Sequence, residues 1–348
     1  MVPAPRPTSS YVAESEVTSG EFRLRDVSEG NAGWTSIDVP DGFVTSIAAS
    51  DGIVVGSMQD SIGTQSIFAI SNDGVRTLAF DPGDVPQSGS VLKDGSVVFG
   101  LGNDNSGDYR VLRWDPIKGT SENLLKSPGI WSETVLVGDA LYLNRPHEDR
   151  RVCIDRAPVA DLSRLTTVEC AEQGGRINYL RATDEYLTYM VYPDDGECGT
   201  VHGISAERAA ALKNVGCISR AVADSKVVAW TGAPSETSLG LDFSHAALGA
   251  LSGGRVYDLG ETEVGAAAVC AGAVYWVWHD DDRPIEPAQI RRWRPGSPDV
   301  EIIYSSPDED EVNGFTTSAP TCGGGRVFIQ RIGWLGTSKE EFLSAPLE

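Results

Sequence analysis

The chain of 348 residues has few of the residues on which common active-site chemistry depends. It contains six lysines and only four histidines, and the histidines are spread along the sequence without the close spacing that metal ligands show. None of the short motifs of nucleophilic hydrolases, phosphate-binding loops, dinucleotide-binding folds or zinc proteases occurs. We therefore expect no cofactor and no metal, and the sequence assigns no catalytic residue.

Positive charge is scarce as well. Lysine and arginine together number 28 against 50 aspartates and glutamates, which gives a formal net charge of -22. Because binding to phosphates needs clustered positive charge, we expect no nucleic-acid partner. No apolar run approaches the ~20 residues of a membrane span, so no direct membrane insertion is expected. An acidic surface keeps a protein soluble, and it also suits a cation or a basic partner.

The chain does contain a repeated pair of apolar strands joined by a tight turn. In VLKDGSVVFGLG (Val91–Gly102), two apolar runs flank Asp94-Gly95, a pair typical of two-residue β-hairpins. Similar turns recur near positions 51, 138, 184, 225, 271 and 323, so the period is about 45 residues. This period is typical of propeller blades and predicts an all-β, seven-bladed β-propeller with four-stranded antiparallel blades.

The turns also predict the limits of the blades. Residues 1–20, rich in proline and serine, are expected to be a disordered linker or residues added by cloning, and 21–348 a single propeller domain. The strand at Trp34–Val39 is expected to close the last blade from outside, which removes an exposed edge. Either Phe22–Arg25 or the C-terminal residues 340–348 could supply the third strand of that blade. The predicted blades span residues 43–85, 86–131, 132–177, 178–220, 221–264, 265–312, and 313–348 with 34–39.

Units such as LKDGSVVFG and SNDGVRTLAF carry a resemblance to a known group of proteins. They resemble the Asp-Gly strand turns of TolB-type and WD40-like propellers of exported bacterial proteins. The repeats lack the Gly-His…Trp-Asp pattern that true WD40 blades share. The resemblance implies the fold and an extracytoplasmic location, and it carries over no catalytic residue.

Six cysteines favour the same location, because disulfides persist in oxidising compartments. Cys270 and Cys322 both end first strands of repeats, and the sequence fits either a bridge between adjacent blades or a reduced buried pair. Two further pairs bracket equivalent positions in successive repeats, where cross-strand neighbours lie within bonding distance. These expected disulfides are Cys153–Cys170 and Cys198–Cys217.

Binding residues are expected on one face of the ring. In a four-stranded meander, the connections after the second and fourth strands leave the same face, and here they are the longer ones. We call this face the loop face. The candidate binding residues in these connections are Trp131, His147, Asp149, Arg150, Tyr192, Asp195, His279, Asp281, Arg283 and Trp334. The alternative for the charged groups is a set of solvated ion pairs, and for the tryptophans a role as buried loop anchors.

The sequence thus favours an exported or surface-anchored propeller, whether secreted, periplasmic or attached to the cell surface. Its expected role is that of a monomeric, non-catalytic recognition module that binds a protein or a glycan through the acidic loop face. The alternative is an extracellular glycan hydrolase or lyase with carboxylates at the mouth of the central channel. A third interpretation is an assembly scaffold or sensor domain whose ligand binds on the opposite face.

Overall fold

The innermost strands of seven consecutive β-sheets lie in a ring in the computed structural model of the chain. Each innermost strand contacts that of the next sheet, and the seventh contacts the first, so the ring is closed around a central channel. This is the predicted all-β, seven-bladed propeller. The structure describes residues 17–18, 22–40, 43–50, 53–60, 63–71, 73–103, 105–128, 133–183, 186–194, 198–233, 235–237, 240–242, 246–278, 288–306, 315–317, 319–333 and 341–347.

Blades one to three are regular antiparallel meanders that run from the channel outward. Three short strands precede them: β1 (Val17–Thr18), β2 (Arg23–Asp26) and β3 (Thr35–Ile37), with a 3-10 turn at Glu29–Asn31 between the last two. Blade one contains β4 (Phe43–Ser50), β5 (Ile53–Gln59), β6 (Gln65–Ser71) and β7 (Gly74–Ala79). Blade two contains β8 (Asp84–Val91), β9 (Val97–Asn103), β10 (Asp108–Asp115) and β11 (Thr120–Pro128). Blade three contains β12 (Thr134–Val137), β13 (Ala140–Pro146), β14 (Val152–Pro158) and β15 (Thr166–Cys170), with a 3-10 turn at Leu162–Arg164.

Blades five and six keep the four-stranded meander, and blades four and seven depart from it. Blade four has three strands, β16 (Arg176–Ala182), β17 (Leu187–Tyr192) and β18 (Thr200–His202), then the helix α1 (Ala206–Ala211) and a 3-10 turn at Leu212–Asn214. Blade five contains β19 (Ile218–Ala223), β20 (Val227–Gly232), β23 (Ala246–Ser252) and β24 (Arg255–Thr262), with a hairpin of β21 (Ser235–Thr237) and β22 (Gly240–Asp242). Blade six contains β25 (Ala267–Cys270), β26 (Ala273–Trp278), β27 (Gln289–Trp293) and β28 (Asp299–Ser305). In blade seven, β29 (Phe315–Thr317) and β30 (Thr321–Gly323) both pair with β31 (Arg326–Gly333), which pairs with β32 (Glu341–Pro346).

The three N-terminal strands, which we call the N-terminal strap, pair with the outer edges of the last three blades in turn. β1 adds in parallel to β24 of blade five, and β2 adds in parallel to β28 of blade six. β3 then pairs antiparallel with β32, so an N-terminal strand closes the last blade, as the sequence predicts. The third strand of that blade is the C-terminal β32, and Phe22–Arg25 belongs to the edge of blade six instead. Val17 and Thr18 fall inside the segment that the sequence analysis assigns to a linker.

Large apolar side chains of neighbouring blades fill the spaces between the sheets. Trp276 of blade six is fully buried and packs with Val227 and Leu248 of blade five. Trp114 and Trp293, which occupy equivalent positions in the third strands of blades two and six, are also buried. Burial of such rings removes apolar surface from water and holds adjacent blades together.

All six cysteines form disulfides. Cys153–Cys170 joins the third and fourth strands of blade three, and Cys198–Cys217 encloses the helical insert of blade four. Cys270–Cys322 joins the innermost strands of blades six and seven, which resolves the open alternative in favour of a bridge. Three disulfides are typical of an oxidising, extracytoplasmic environment. Within the described ranges, no helix has the length and apolar character needed to cross a membrane.

Candidate functional site

In the connection after the second strand of blade three, His147 contacts a buried carboxylate of the following strand β14. His147 Nε2 lies 3.1 Å from Asp155 Oδ2, and Arg145 Nε lies 2.5 Å from the same oxygen. Thr167 donates a further hydrogen bond to Asp155, which is 1% exposed. Burial raises the pKa of the Asp155 carboxyl, but these hydrogen bonds prevail and hold it below its ordinary value. His147 is therefore committed to an internal ion-pair cluster.

The rest of this connection is also locally paired. Asp149 accepts a hydrogen bond from Arg151 Nε at 2.7 Å, and Arg150 is exposed in a turn. The donor atoms of His147, Cys153 and Cys170 lie within 4.8 Å of one another, but the two sulfur atoms are bonded to each other and offer no thiolate to a metal. The geometry fits the structural interpretation of this loop.

One further candidate, Tyr192, lies among the described residues. The remaining candidates lie outside the described residues: Trp131, Asp195, His279, Asp281, Arg283 and Trp334.

Tyr192 is part of a stack of two arginines and two tyrosines in blades four and five. Its ring is 4% exposed, and its hydroxyl donates to the carbonyl oxygen of Ser219. Arg176 Cζ lies 4.9 Å from the Tyr192 ring centroid, and the Tyr179 ring stands edge-on to Tyr192 at 6.2 Å. Arg220 Cζ lies 4.4 Å from the Tyr179 centroid. The stack thus extends from an exposed arginine to the innermost strand of blade five.

Tyr179 has a strained backbone. The β16–β17 register places Asn178 opposite Met190 and Arg181 opposite Thr188, so two residues of β16 oppose a single residue of β17. In this bulge Tyr179 has φ 58°, a left-handed conformation that costs an L-residue about 1–2 kcal/mol. Strain of this kind clusters at functional sites, because bulges turn side chains towards a ligand.

Glu133 holds the bulge in place from the neighbouring blade. Its Oε2 accepts the Leu180 N–H at 3.0 Å, and its own N–H donates to Asn144 Oδ1 at 2.6 Å. Asn144 Nδ2 in turn donates to the Ile177 carbonyl oxygen at 2.8 Å. These hydrogen bonds connect blade three to both sides of the bulge, so the conformation of Tyr179 is maintained by more than one contact.

Four of these side chains surround the central channel. Glu133 directly precedes the innermost strand of blade three, Tyr179 and Arg181 lie in that of blade four, and Arg220 lies in that of blade five. Because the innermost strands form the ring, these residues meet near its axis. Glu133 and Arg220 stand at the beginnings of their strands, which is the end of the channel that opens on the loop face. We call these four residues the channel cluster.

The electrostatics of the channel cluster are dominated by desolvation. Burial raises the pKa of the Glu133 carboxyl, although the Leu180 N–H and the charges of Arg181 and Arg220 oppose the shift. Desolvation lowers the pKa of Arg181, and the Glu133 charge opposes this. The Arg181 side chain is nonetheless exposed to solvent. Arginine side chains in proteins carry a positive charge.

The two arginines of the channel cluster have no carboxylate within ion-pair distance in the described part of the chain. Arg220 Nε is buried and makes no hydrogen bond, and Arg181 donates only to the carbonyl oxygen of Leu180. Gly265, ahead of the first strand of blade six, lies directly against Arg220: a Cβ there would be 2.4 Å from Nη1. The site therefore holds two guanidinium groups and one carboxylate.

None of the four residues of the channel cluster was predicted from the sequence. The predicted binding residues lie in the long connections, whereas these four lie in or beside innermost strands. A signal was available, because the innermost strands are otherwise rich in alanine, as at Ala221, Ala223 and 266–268, so that an arginine among them is unusual.

The chain is similar in structure to several proteins that are unrelated in chemistry. No protein-family model matches it, and no curated protein matches it by sequence. The β-propeller domain of the trilobed protease from Pyrococcus furiosus is 12% identical over 88% of this chain and 94% of that one, with a TM-score of 0.52. The polysaccharide lyase Uly1 is 8% identical over 94% and 97% of the two chains, with a TM-score of 0.53. The WD40 domain of SCAP from fission yeast is 9% identical over 90% and 98%, with a TM-score of 0.50. Identities this low establish a shared propeller fold and nothing about activity.

Proposed function

We propose that this protein is an exported, non-catalytic recognition module that binds a protein or glycan ligand at the mouth of the central channel, on the loop face. The observation that carries the proposal is the bulge at Tyr179, where a strained residue is held in place by contacts from two blades. A purely structural strand has no use for this strain, whereas a binding site uses it to fix a side chain in position.

The chemistry of the channel cluster supports binding over catalysis. Glycoside hydrolysis uses two carboxylates about 5–10 Å apart, and the charged groups that act on Glu133 are the arginines Arg181 and Arg220. Burial raises the pKa of Tyr192 above its usual value, so its phenol stays protonated and acts as a hydrogen-bond donor rather than a base. The similar structures include the propeller domain of a protease, a polysaccharide lyase and a WD40 domain, so they favour neither role.

Replacement of Tyr179 by glycine tests the proposal, because glycine adopts a positive φ without strain. We expect Tyr179→Gly to change the free energy of unfolding by less than about 1 kcal/mol, since relief of strain offsets the lost packing. We expect it to lose binding to the ligands that the wild type retains on an array of oligosaccharides and peptides. Urea denaturation and the array provide the two measurements.

Tyr142 provides the matched control. It is half-buried and lies 5.8 Å from the Arg156 guanidinium, but its backbone has no positive φ. Tyr142→Gly should therefore destabilise the fold by about 2 kcal/mol or more and keep its array ligands below its melting temperature. A strongly destabilised Tyr179→Gly that still binds would contradict the proposal. So would hydrolase or lyase turnover that His279→Ala or Asp281→Asn abolishes.

A further inference from the structure

We infer that the channel cluster is a binding site for a single carboxylate, and that its ligand is a basic peptide that presents its free C-terminal carboxyl group to Arg181 and Arg220. This inference rests on the proposed function and names the class of its ligand.

The site carries one more positive than negative charge in a protein whose formal net charge is -22. Arg220 Nε is buried without a hydrogen-bond partner, which is costly, and a bound acid group removes the cost. Arg220 is fixed for this purpose, because its aliphatic and guanidinium atoms are confined between the Tyr179 ring and the backbone of Gly265. Its planar group then offers a fork of donors that matches the two oxygens of a carboxylate.

The rest of the surface determines what can carry that carboxylate. The connections that leave the loop face contain acidic runs in the sequence, among them 280–282 and 308–311. A polymer with an acid group on every unit would be repelled by this charge, whereas lysines or arginines beside a single acid group would be attracted. Entry into a channel also favours the end of a chain over its middle. A basic peptide with a free C-terminus meets all three conditions.

Glu133 is the counter-charge that the ligand has to compete with. Its carboxylate acts electrostatically on both arginines from beyond ion-pair distance, and burial raises its pKa. The other ionisable groups coupled to Glu133 are the phenols of Tyr109, Tyr179 and Tyr192 and the guanidinium groups of Arg181 and Arg220. All of these belong to classes that ordinarily titrate near or above pH 10. Protonation of Glu133 therefore leaves the two positive charges free for the ligand.

The test uses a lysine-rich, histidine-free hexapeptide in two forms, with a free and with an amidated C-terminus, together with an oligo-uronate. Calorimetry on the full-length protein is expected to give at least about tenfold weaker binding of the amide and of the oligo-uronate. Arg181→Gln and Arg220→Gln are each expected to weaken binding of the free acid about tenfold, to the level of the amide. Arg164→Gln is the matched control, because Arg164 is exposed, pairs with Asp161 and lies between the third and fourth strands, away from the loop face.

Glu133→Gln provides a second measurement that a loss of folding cannot imitate. The amide oxygen can still accept the Leu180 N–H, so the bulge is kept while the negative charge is lost. We expect this variant to bind the free acid more tightly than the wild type at neutral pH. Because burial raises the pKa of Glu133, we also expect wild-type affinity to rise as the pH falls from neutrality towards the ordinary range of a glutamate carboxyl group, where the peptide carboxyl group stays ionised. The variant should show no such rise.

Equal binding of the free acid and the amide, or tighter binding of the oligo-uronate, would overturn the inference. An unchanged affinity in both arginine variants would do the same. If Tyr179→Gly loses its array ligands while the arginine variants keep theirs, the inference fails and the proposed function stands. If Tyr179→Gly keeps its array ligands, the proposed function itself fails.

Discussion

A chain that begins at residue 41 is expected to lose cooperative folding, whereas one that begins at residue 22 is expected to fold. The longer truncation removes β2 and β3 and with them the outer edges of blades six and seven. It also removes Trp34, whose Nε1 donates to the Ile303 carbonyl oxygen at 2.8 Å and whose ring lies 5.2 Å from that of Tyr304. Loss of a large ring of this kind costs about 3–5 kcal/mol, a large share of the 5–15 kcal/mol that stabilise a typical protein.

Phe22 adds to the same attachment, because its ring lies 5.9 Å from that of the buried Trp293. Circular dichroism with thermal and urea denaturation would measure the effect. The chain that begins at residue 22 is the control, since it lacks only the two-residue pairing of β1 with blade five. If the shorter chain, which begins at residue 41, melted within a few degrees of the control, the strap would have no role in stability.

The second large effect is expected from the disulfide between blades six and seven. Replacement of Cys270 and Cys322 by serine should lower the free energy of unfolding by about 4 kcal/mol, because this bond closes a loop of 52 residues in the unfolded chain. The disulfide between Cys153 and Cys170 closes a loop of 17 residues, so its replacement by two serines should lower the free energy of unfolding by about 3 kcal/mol. Urea denaturation of the oxidised proteins would measure both, and a larger loss from the second pair would contradict the loop-length argument.

The fold could be predicted because its signal is local and repeated. Each hairpin contains its own turn residues, such as Asp94-Gly95 in the hairpin of blade two, and the period of the turns determines the number of blades. The disulfides of blades three and four were predictable for the same reason, since Cys153 and Cys170 face each other across adjacent strands. The path of Phe22–Arg25 was not, because an alternating strand suits the open edge of any blade.

The candidate site could not be predicted because it is assembled from three blades. Glu133 and Arg220 are 87 positions apart in the chain, and only closure of the ring brings them to the same channel. The bulge that positions Tyr179 could not be predicted from the sequence, because its left-handed position is occupied by a tyrosine and not by the usual glycine. Charged residues are frequent in the long connections, so the binding site was predicted there and not near the axis of the ring.

The strap also determines when the molecule can be completed during synthesis. Thr35 pairs with Ser344, so its strand must wait, unpaired, until the residue 309 positions later in the chain has left the ribosome. Pairings so distant in sequence are slow to form, and the waiting edges of β-structure invite aggregation. A cell that makes this protein would therefore have to protect an unfinished ring for the full time of its translation.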